Sequence, residues 1–227
     1  MIPPDHPARP PRGRRPAAPW LFLGSGIVGL AILMSIVGSD AFGAQTTAFD
    51  RWIRASVQGR HAPHVDAVAT AVSHAATPTV LYGGAVLLAL FLWWRRGWRA
   101  AAAVALAAAL AWALNNGAKD VFDRVRPPGG ADHESHSFPS GHATASAAVF
   151  VTAAFVLWRE WLLPPAGAVL LGAVLPIIIA WSRVRIDEHW ATDVLAGWCL
   201  GLVIAGACGI LHRLLVKGPA ERHPRDR

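Results

Sequence analysis

One short stretch, from Trp181 to Asp193, carries most of the side chains that could do chemistry in this chain. His189 and Asp193 are four residues apart, which on a helix would stack them on one face. A carboxylate bonded to one imidazole nitrogen fixes the tautomer and leaves the other nitrogen free to attack. Arg183 adds a planar guanidinium suited to phosphate oxygens. The stretch indicates nucleophilic attack on a phosphoryl group; the alternative is a membrane-edge cluster that only anchors a helix.

A second cluster offers two cations. Lys119 and Arg126 are seven residues apart, so on one helix they would lie two turns apart and face the same point. The alternative is an ordinary ion-pair face, in which Asp123 pairs with both of them. Taken alone, this cluster does not decide between an anion site and a surface helix.

A third cluster, Ser140-Gly141-His142, opens an apolar block. A helix that starts here would present unpaired N–H groups and the positive end of its dipole, which together form an anion site. Gly141 lets the backbone approach an anion closely, whereas Ser140 could simply be an N-cap. His142 needs a partner, because an imidazole in the first turn of a membrane helix is otherwise unsatisfied.

The elements that must position these clusters are apolar blocks near the length that crosses a bilayer, about 20 residues. They run over about residues 20–38, 67–94, 100–118, 140–158, 164–181 and 191–212. Pro78 is expected to kink the second block, and Pro176 lies inside the fifth. Most of the eleven Trp residues stand at block ends, as in the aromatic belts of membrane proteins. The pattern predicts an all-α, integral membrane bundle of six transmembrane helices.

Residues 40–66, after the first block, place Phe49, Trp52, Ile53 and Val57 at helical spacing among arginines. This spacing predicts an amphipathic helix lying in the membrane interface.

Three regions follow from this pattern: a disordered basic tail over residues 1–19, a membrane domain over residues 20–212, and a polar basic tail over residues 213–227. The first block is longer than the core of a secretory signal, so we favour an uncleaved anchor over a signal peptide. Six crossings place both termini on one side, and the tails with the turns at Arg95 and Arg159 hold most of the 21 Lys and Arg residues. This bias predicts cytoplasmic termini and a polar site on the periplasmic or extracellular side.

The formal net charge of +7 does not indicate nucleic-acid binding, because the basic residues are spread over tails and short loops. Cys199 and Cys208 both fall in the last block, nine residues apart, where they would point in nearly opposite directions on a helix. A disulfide between them is therefore not expected.

The three clusters together, Lys-x6-Arg-Pro, Pro-Ser-Gly-His and Ser-Arg-x5-His-x3-Asp, resemble the signature of the type 2 phosphatidic acid phosphatase (PAP2) superfamily. The resemblance covers about residues 66–212. It implies a PAP2 and vanadium-chloroperoxidase-like helix bundle, with a metal-independent phosphatase activity and no cofactor. It also implies roles: His189 as the nucleophile that forms a phosphohistidine, Asp193 as its orienting carboxylate, and His142 as general acid and then base. The phosphate-binding residues would be Lys119, Arg126, Ser140, Gly141 and Arg183.

By resemblance, the substrate is a lipid phosphate held in the bilayer by its tail. We favour a polyprenyl diphosphate, with phosphatidic acid and phosphatidylglycerol phosphate as alternatives. A lipid phosphotransferase with the same intermediate, a vanadium haloperoxidase and a non-catalytic membrane scaffold are the other readings, and the apolar blocks argue against a haloperoxidase. The oligomeric state is not indicated by the sequence.

Several polar residues near the clusters receive no role. The loop residues Asp132, His133, Glu134 and His136 suggest a solvated loop rather than a metal site, with headgroup contact as an open role. His74 is expected to serve packing or the interface, and Arg124 and Arg185 to broaden the positive field for anionic headgroups. Asp187 and Glu188 adjoin the nucleophile without an assigned function.

Overall fold

The computed structural model describes residues 17–38, 48–58, 62–122, 124–130 and 136–216, and the regular secondary structure within these ranges is helical. The α-helices are α1 Ala18–Gly38, α2 Ala48–Gln58, α3 Pro63–Ala75, α4 Pro78–Arg96, α5 Trp98–Lys119, α6 Gly141–Arg159, α7 Pro165–Val169, α8 Leu175–Arg185 and α9 Ala191–Leu215. A π-helical segment, Leu170–Val174, joins α7 to α8, so that the three form one fifth span. Most of both predicted tails, residues 1–16 and 217–227, lies outside the described residues.

Six elements are long and apolar enough to cross a membrane: α1, α4, α5, α6, the fifth span and α9. Their outer surfaces expose large apolar side chains, such as Leu87, Leu90 and Ile32, that would be costly to leave in water. The all-α, six-span prediction is therefore confirmed, and the chain is a multi-pass membrane protein. Cys199 and Cys208 on α9 are free thiols, as expected.

The prediction that the second apolar block forms one kinked helix is wrong. The block divides into α3 and α4, because the chain leaves the helical conformation at Ala76 and Thr77 and Pro78 then starts a new helix. Proline suits the first helical position, since its missing N–H is one that would have no intrahelical partner there. The Thr77 side chain accepts a hydrogen bond from Val80 N at 3.4 Å and caps the new helix. The second span is thus Pro78–Arg96.

The predicted amphipathic segment is helical over α2, with Asp50 buried and Phe49 and Trp52 exposed. The helix is shorter than the segment predicted over residues 40–66, and α3 begins within that segment at Pro63. Its location in the membrane interface stays a prediction.

The fourth span, α6, lies at the centre of the bundle and has the largest buried share of the six. It packs against α5, the fifth span and α9. Glycines allow the close contact with α9: a Cβ built at Gly197 would lie 2.6 Å from the Ser140 carbonyl oxygen, and one at Gly201 would lie 2.5 Å from the Ala147 Cβ. The starts of α6 and α9 are therefore held side by side.

The two ends of the bundle carry different polar contacts. At one end, Ser140 N donates to the Asp193 carbonyl oxygen at 3.0 Å, which joins the starts of α6 and α9. At the other end, the Arg96 guanidinium on α4 donates to the Glu160 carbonyl oxygen at 3.0 Å, and Glu160 Oε1 lies 3.3 Å from His212 Nε2 on α9. The first end holds all three sequence clusters.

Candidate active site

His189 stands in the tight turn between α8 and α9 rather than on a helix. The Arg183 carbonyl oxygen accepts hydrogen bonds from Glu188 N at 3.0 Å and His189 N at 3.2 Å, which folds the chain back on itself. Asp187 makes the turn with a φ of 63°, in the left-handed region that few residues other than Gly, Asn and Asp adopt. Its carboxylate is held by both Arg54 Nε at 2.7 Å and Arg54 Nη2 at 2.5 Å. The nucleophile candidate is thus placed by a fixed turn.

The expectation that His189 and Asp193 stack on one helical face is wrong, although the two side chains do meet. Helix α9 begins at Ala191, so only Asp193 is helical. Asp193 bends back to cap its own helix and accepts a hydrogen bond from Trp190 N at 2.9 Å. This capping geometry brings Asp193 Oδ2 to 3.7 Å from His189 Nδ1.

Ser137 completes the pair. Its Oγ donates to Asp193 Oδ2 at 2.5 Å and lies 3.4 Å from His189 Nδ1. The Nδ1 side of the ring therefore faces a carboxylate and a hydroxyl, while Nε2 is directed towards Arg126, whose Nη1 lies 3.4 Å away. Burial lowers the pKa of His189 to about 4, against the opposing effect of the Asp193 carboxylate. The imidazole is thus neutral at pH 7 and its Nε2 lone pair is available.

Two predicted phosphate ligands, Arg126 and Arg183, both contact Glu188, the residue before His189. Arg126 is buried in the loop before α6 and donates from Nη1 to the Glu188 carbonyl oxygen at 2.7 Å. Arg183 is buried near the end of α8 and donates to Ser73 Oγ on α3. Glu188 Oε2 lies 3.3 Å from Arg126 Nη1 and 3.5 Å from Arg183 Nη2. A carboxylate thus lies against both guanidinium groups, which shows that they can share one anion.

The start of α6 contributes polar atoms that suit a ligand. Ser140 occupies the N-cap position of α6, as the alternative expected, but its hydroxyl makes no capping hydrogen bond. Within the described part of the chain, the buried atoms Ser140 Oγ and His142 Nε2 have no hydrogen-bond partner. The His142 ring hydrogen-bonds with the Ser73 backbone and lies close enough to Arg183 and His189 to interact with their charges. Buried polar groups left without a partner are rare, and they often mark a site.

Gly141 and Lys119 lie at the same end of the bundle, and the position of each can be described relative to Asn115. A Cβ added to Gly141 would lie 3.4 Å from Asn115 Nδ2, so a larger residue would crowd the start of α6. Asn115 is buried and accepts a hydrogen bond from Thr144 Oγ1 at 3.0 Å. Lys119 is half-buried, four residues after Asn115 at the end of α5, and so lies on the same face of that helix.

The sequence spacing suggested that Lys119 and Arg126 share a helix, but they do not. Helix α5 ends at Lys119, and residues 124–127 are non-helical. Pro127 disfavours the helical conformation at Arg126. Arg126 therefore reaches the site from a loop and Lys119 from a helix terminus. The ion pairs proposed for Asp123 lie outside the described residues.

Arg124 and Arg185 are buried in ion pairs rather than spread over a surface field. Arg124 Nη2 lies 2.8 Å from Asp50 Oδ2, and its Nη1 donates to Asp193 Oδ1. Arg185 Nε lies 2.8 Å from Asp66 Oδ1. Each arginine ties the stretch from Trp181 to Asp193 to another segment of the chain.

Several residues at the site had no signal in the sequence. Ser137, Ser73 and Asp50 are common residue types at unremarked positions, and only the fold brings them to the cluster. His74 is exposed while its neighbour Ser73 faces Arg183, and His136 is exposed. Residues 131–135, including His133, lie outside the described residues.

Comparisons with known proteins relate the chain to one superfamily. A family model described as the PAP2 superfamily matches residues 100–216. Over 121 residues, covering 50% of this chain and 55% of the relative, the chain is 35% identical to phosphatidylglycerophosphatase B of Bacillus subtilis (strain 168). Over 70 residues, covering 29% of each protein, it is 33% identical to the undecaprenyl-diphosphatase of Sulfolobus acidocaldarius. The chain thus aligns with about half or less of these curated relatives.

A solved structure resembles almost the whole chain. It is described as the first transmembrane PAP2-type phosphatidylglycerolphosphate phosphatase from Bacillus subtilis, and the match has a TM-score of 0.69 at 26% sequence identity. It covers 93% of this chain and 100% of the solved chain. The likeness therefore includes α1 to α4, which precede the region that the family model matches.

Proposed function

We propose that this chain, which belongs to the PAP2 superfamily, is a membrane phosphatase that removes a phosphate from a lipid phosphate or diphosphate. One observation carries the proposal: His189 lies between a carboxylate on its Nδ1 side and the Arg126 guanidinium on its Nε2 side. A neutral imidazole held in this way is a nucleophile directed at an anion-binding group.

The proposed reaction begins when the anionic group displaces the Glu188 carboxylate from Arg126 and Arg183. A phosphoryl group carries a charge of roughly −1.5 to −2 at neutral pH, which Lys119 and the two arginines would hold. Ser140 and Gly141 at the start of α6 would add hydroxyl and backbone donors. These charges also stabilise the equatorial oxygens in the transition state.

Group transfer then occurs in two displacements. His189 Nε2 forms a bond to phosphorus while the bond from phosphorus to the leaving oxygen breaks, and His142, which has to be protonated before this step, gives that oxygen its proton and becomes neutral. The imidazole becomes cationic, with its Nδ1–H facing Asp193. A water oxygen then attacks phosphorus and loses a proton to His142, while the electron pair of the P–N bond returns to Nε2. Orthophosphate leaves and both histidines are restored.

We favour a polyprenyl diphosphate as substrate, with phosphatidic acid and phosphatidylglycerol phosphate as alternatives. The relatives are named for a phosphatidylglycerophosphate and for undecaprenyl diphosphate, so both ester types occur among similar proteins. When the substrate is a lipid diphosphate, the leaving group is the lipid monophosphate. This group needs less help from an acid than the alkoxide that leaves from a phosphate monoester. The lipid tail would stay in the bilayer while the headgroup enters the polar end of the bundle.

The proposed orientation places both termini in the cytoplasm and the site on the periplasmic or extracellular side of the cytoplasmic membrane. The arginines at the opposite end of the bundle, Arg95, Arg96, Arg99 and Arg159, support this orientation through the excess of basic residues in cytoplasmic turns.

The test is orthophosphate release by the purified protein in detergent, with a panel of lipid phosphates and no alcohol acceptor. We expect release from the wild type and a loss of several orders of magnitude in His189→Ala. His64→Ala, which changes an exposed histidine of α3, is the matched control and should keep full turnover. Loss of the lipid phosphate that requires an added alcohol acceptor, with the phosphoryl group recovered on that acceptor and not as orthophosphate, would indicate the phosphotransferase instead. Absence of turnover on the whole panel would contradict the proposal.

A further inference from the structure

Helix α2 carries one fully buried carboxylate. Asp50 has no exposed surface, although its neighbours Phe49 and Trp52 are 44% and 63% exposed. Burying an ionised carboxylate is costly unless charges and hydrogen bonds compensate. The position of Asp50 therefore has to be explained by its partners.

The partners of Asp50 lie at the start of α9. Asp50 Oδ1 accepts a hydrogen bond from Thr192 N at 2.8 Å, and Oδ2 accepts one from Thr192 Oγ1 at 2.9 Å. Thr192 N is among the first N–H groups of the helix, which have no intrahelical partner and favour an anion. Asp50 thus supplies a negative charge to α9 from another segment of the chain.

Arg124 links Asp50 to the candidate catalytic pair. Its Nη2 donates to Asp50 Oδ2 at 2.8 Å, while its Nη1 donates to Asp193 Oδ1 and, at 2.6 Å, to Thr192 Oγ1. The guanidinium is nearly buried and is flanked by two buried carboxylates. A continuous series of contacts therefore runs from Asp50 through Arg124 and Asp193 to His189.

We propose that Asp50 is a positioning residue of the phosphatase, acting on His189 through Arg124 and Asp193. It holds the guanidinium in one orientation, which fixes the Asp193 carboxylate beside Nδ1. It also offsets part of the Arg124 charge, which would otherwise oppose the imidazolium that forms when Nε2 attacks phosphorus. This inference rests on the proposed function, since it concerns the same site.

Other contacts of α2 support this assignment. Arg54 holds Asp187 in the turn beside His189, and the Val57 carbonyl oxygen accepts a hydrogen bond from Arg185. Together with Asp50, these contacts place the polar face of α2 against the stretch from Trp181 to Asp193. Helix α2 is therefore part of the framework of the site, in addition to any membrane contact made by its apolar face.

The test is a double-mutant cycle on the full-length protein in detergent, with Asp50→Asn, Arg124→Gln and the double variant. Asn keeps the shape of the side chain and one acceptor oxygen for Thr192 N, but it removes the charge and replaces the oxygen that accepts from Thr192 Oγ1 and Arg124 with an amide group. We expect kcat of Asp50→Asn to fall roughly tenfold, as for a lost charge-assisted hydrogen bond, with KM nearly unchanged. In the Arg124→Gln background, Asp50→Asn should have no further effect on kcat, because its link is already broken. Ser56→Ala, an exposed serine on the same helix, is the control.

Effects that multiply in the double variant, or a change confined to KM, would overturn the inference. Thermal unfolding of each variant separates loss of positioning from loss of fold. If Asp50→Asn does not fold, Thr192→Val serves as the second variant. It removes the hydroxyl shared by Asp50 and Arg124, and should lower kcat with KM unchanged; an unaltered kcat would also overturn the inference. A wild type without phosphate release refutes the proposed function, whereas an active wild type with unaffected variants refutes only the role of Asp50.

Discussion

The Ser137 hydroxyl offers a sharp test of how the nucleophile is oriented. Ser137 Oγ donates to Asp193 Oδ2 at 2.5 Å and lies 3.4 Å from His189 Nδ1, and the side chain is fully buried. Ser137→Ala removes this donor while Trp190 N at 2.9 Å and Arg124 still hold the carboxylate. The substitution therefore loosens Asp193 without leaving it unsatisfied.

The size of the effect follows from the kind of bond that is lost. A hydrogen bond to a charged group contributes about 1.5–3 kcal/mol, which corresponds to roughly 10- to 150-fold in rate. We expect the lower end, about tenfold in kcat, because Asp193 Oδ2 keeps its bond from Trp190 N. KM should stay nearly constant, since Ser137 orients the nucleophile rather than the substrate.

Steady-state orthophosphate release gives kcat and KM, and rapid quenching in base, in which a phosphohistidine survives, gives the rate of phosphoenzyme formation. Ser146→Ala is the matched control, because Ser146 is also a fully buried serine and its Oγ bonds only within α6, to the Ala143 carbonyl oxygen at 3.2 Å. It should leave both parameters close to those of the wild type. If Ser137→Ala leaves kcat unaltered, or changes KM alone, the reasoning that Ser137 orients the pair is refuted.

Four further outcomes are expected. Arg126→Lys should lower kcat/KM roughly 10-fold or more because Lys lacks the planar fork, and equal activity in steady-state assays would contradict this. Glu188→Gln should tighten inhibition by orthophosphate, since it removes the carboxylate that competes for the two arginines; weaker inhibition would instead indicate that Glu188 holds them in place. Phosphoenzyme formation should persist as pH falls from 7 to 5 and decline near pH 4, where His189 is protonated and loses its lone pair; a decline centred near 6.5 in quench experiments would argue otherwise. EDTA should leave orthophosphate release unchanged, and strong inhibition would rule out the metal-independent mechanism.

The six spans were predictable because bilayer thickness imposes a length on every apolar block, and five of the six appear within a few residues of their expected places. The exception is instructive. Residues 67–94 are apolar enough to suggest one helix, but a proline can kink a helix or start one, and composition does not distinguish these cases. The structure starts α4 at Pro78.

The candidate site was predictable in its residue types but not in its geometry. His189 and Asp193 meet through the capping geometry of α9, although the spacing of four residues suggested a helical face. Ser137 and Asp50 could not have been found, since each contacts Asp193 or its partner across a long sequence separation. Only a fold, or a record of which positions vary together, supplies such information.

The π-helical turn at Leu170–Val174 directly precedes α8, the helix that carries Arg183. A π turn takes up one more residue than an α turn, and one residue of an α-helix corresponds to about 100° of rotation. Pro176 suits this place because it has no N–H to donate to the preceding turn. The reach of the fifth span across the bilayer and the direction of the Arg183 guanidinium can thus change separately. In a homologue, a single residue inserted or deleted at this turn would rotate Arg183, the proposed phosphate ligand, about the helix axis. The proposed phosphate binding would then change while the number of spans stayed the same.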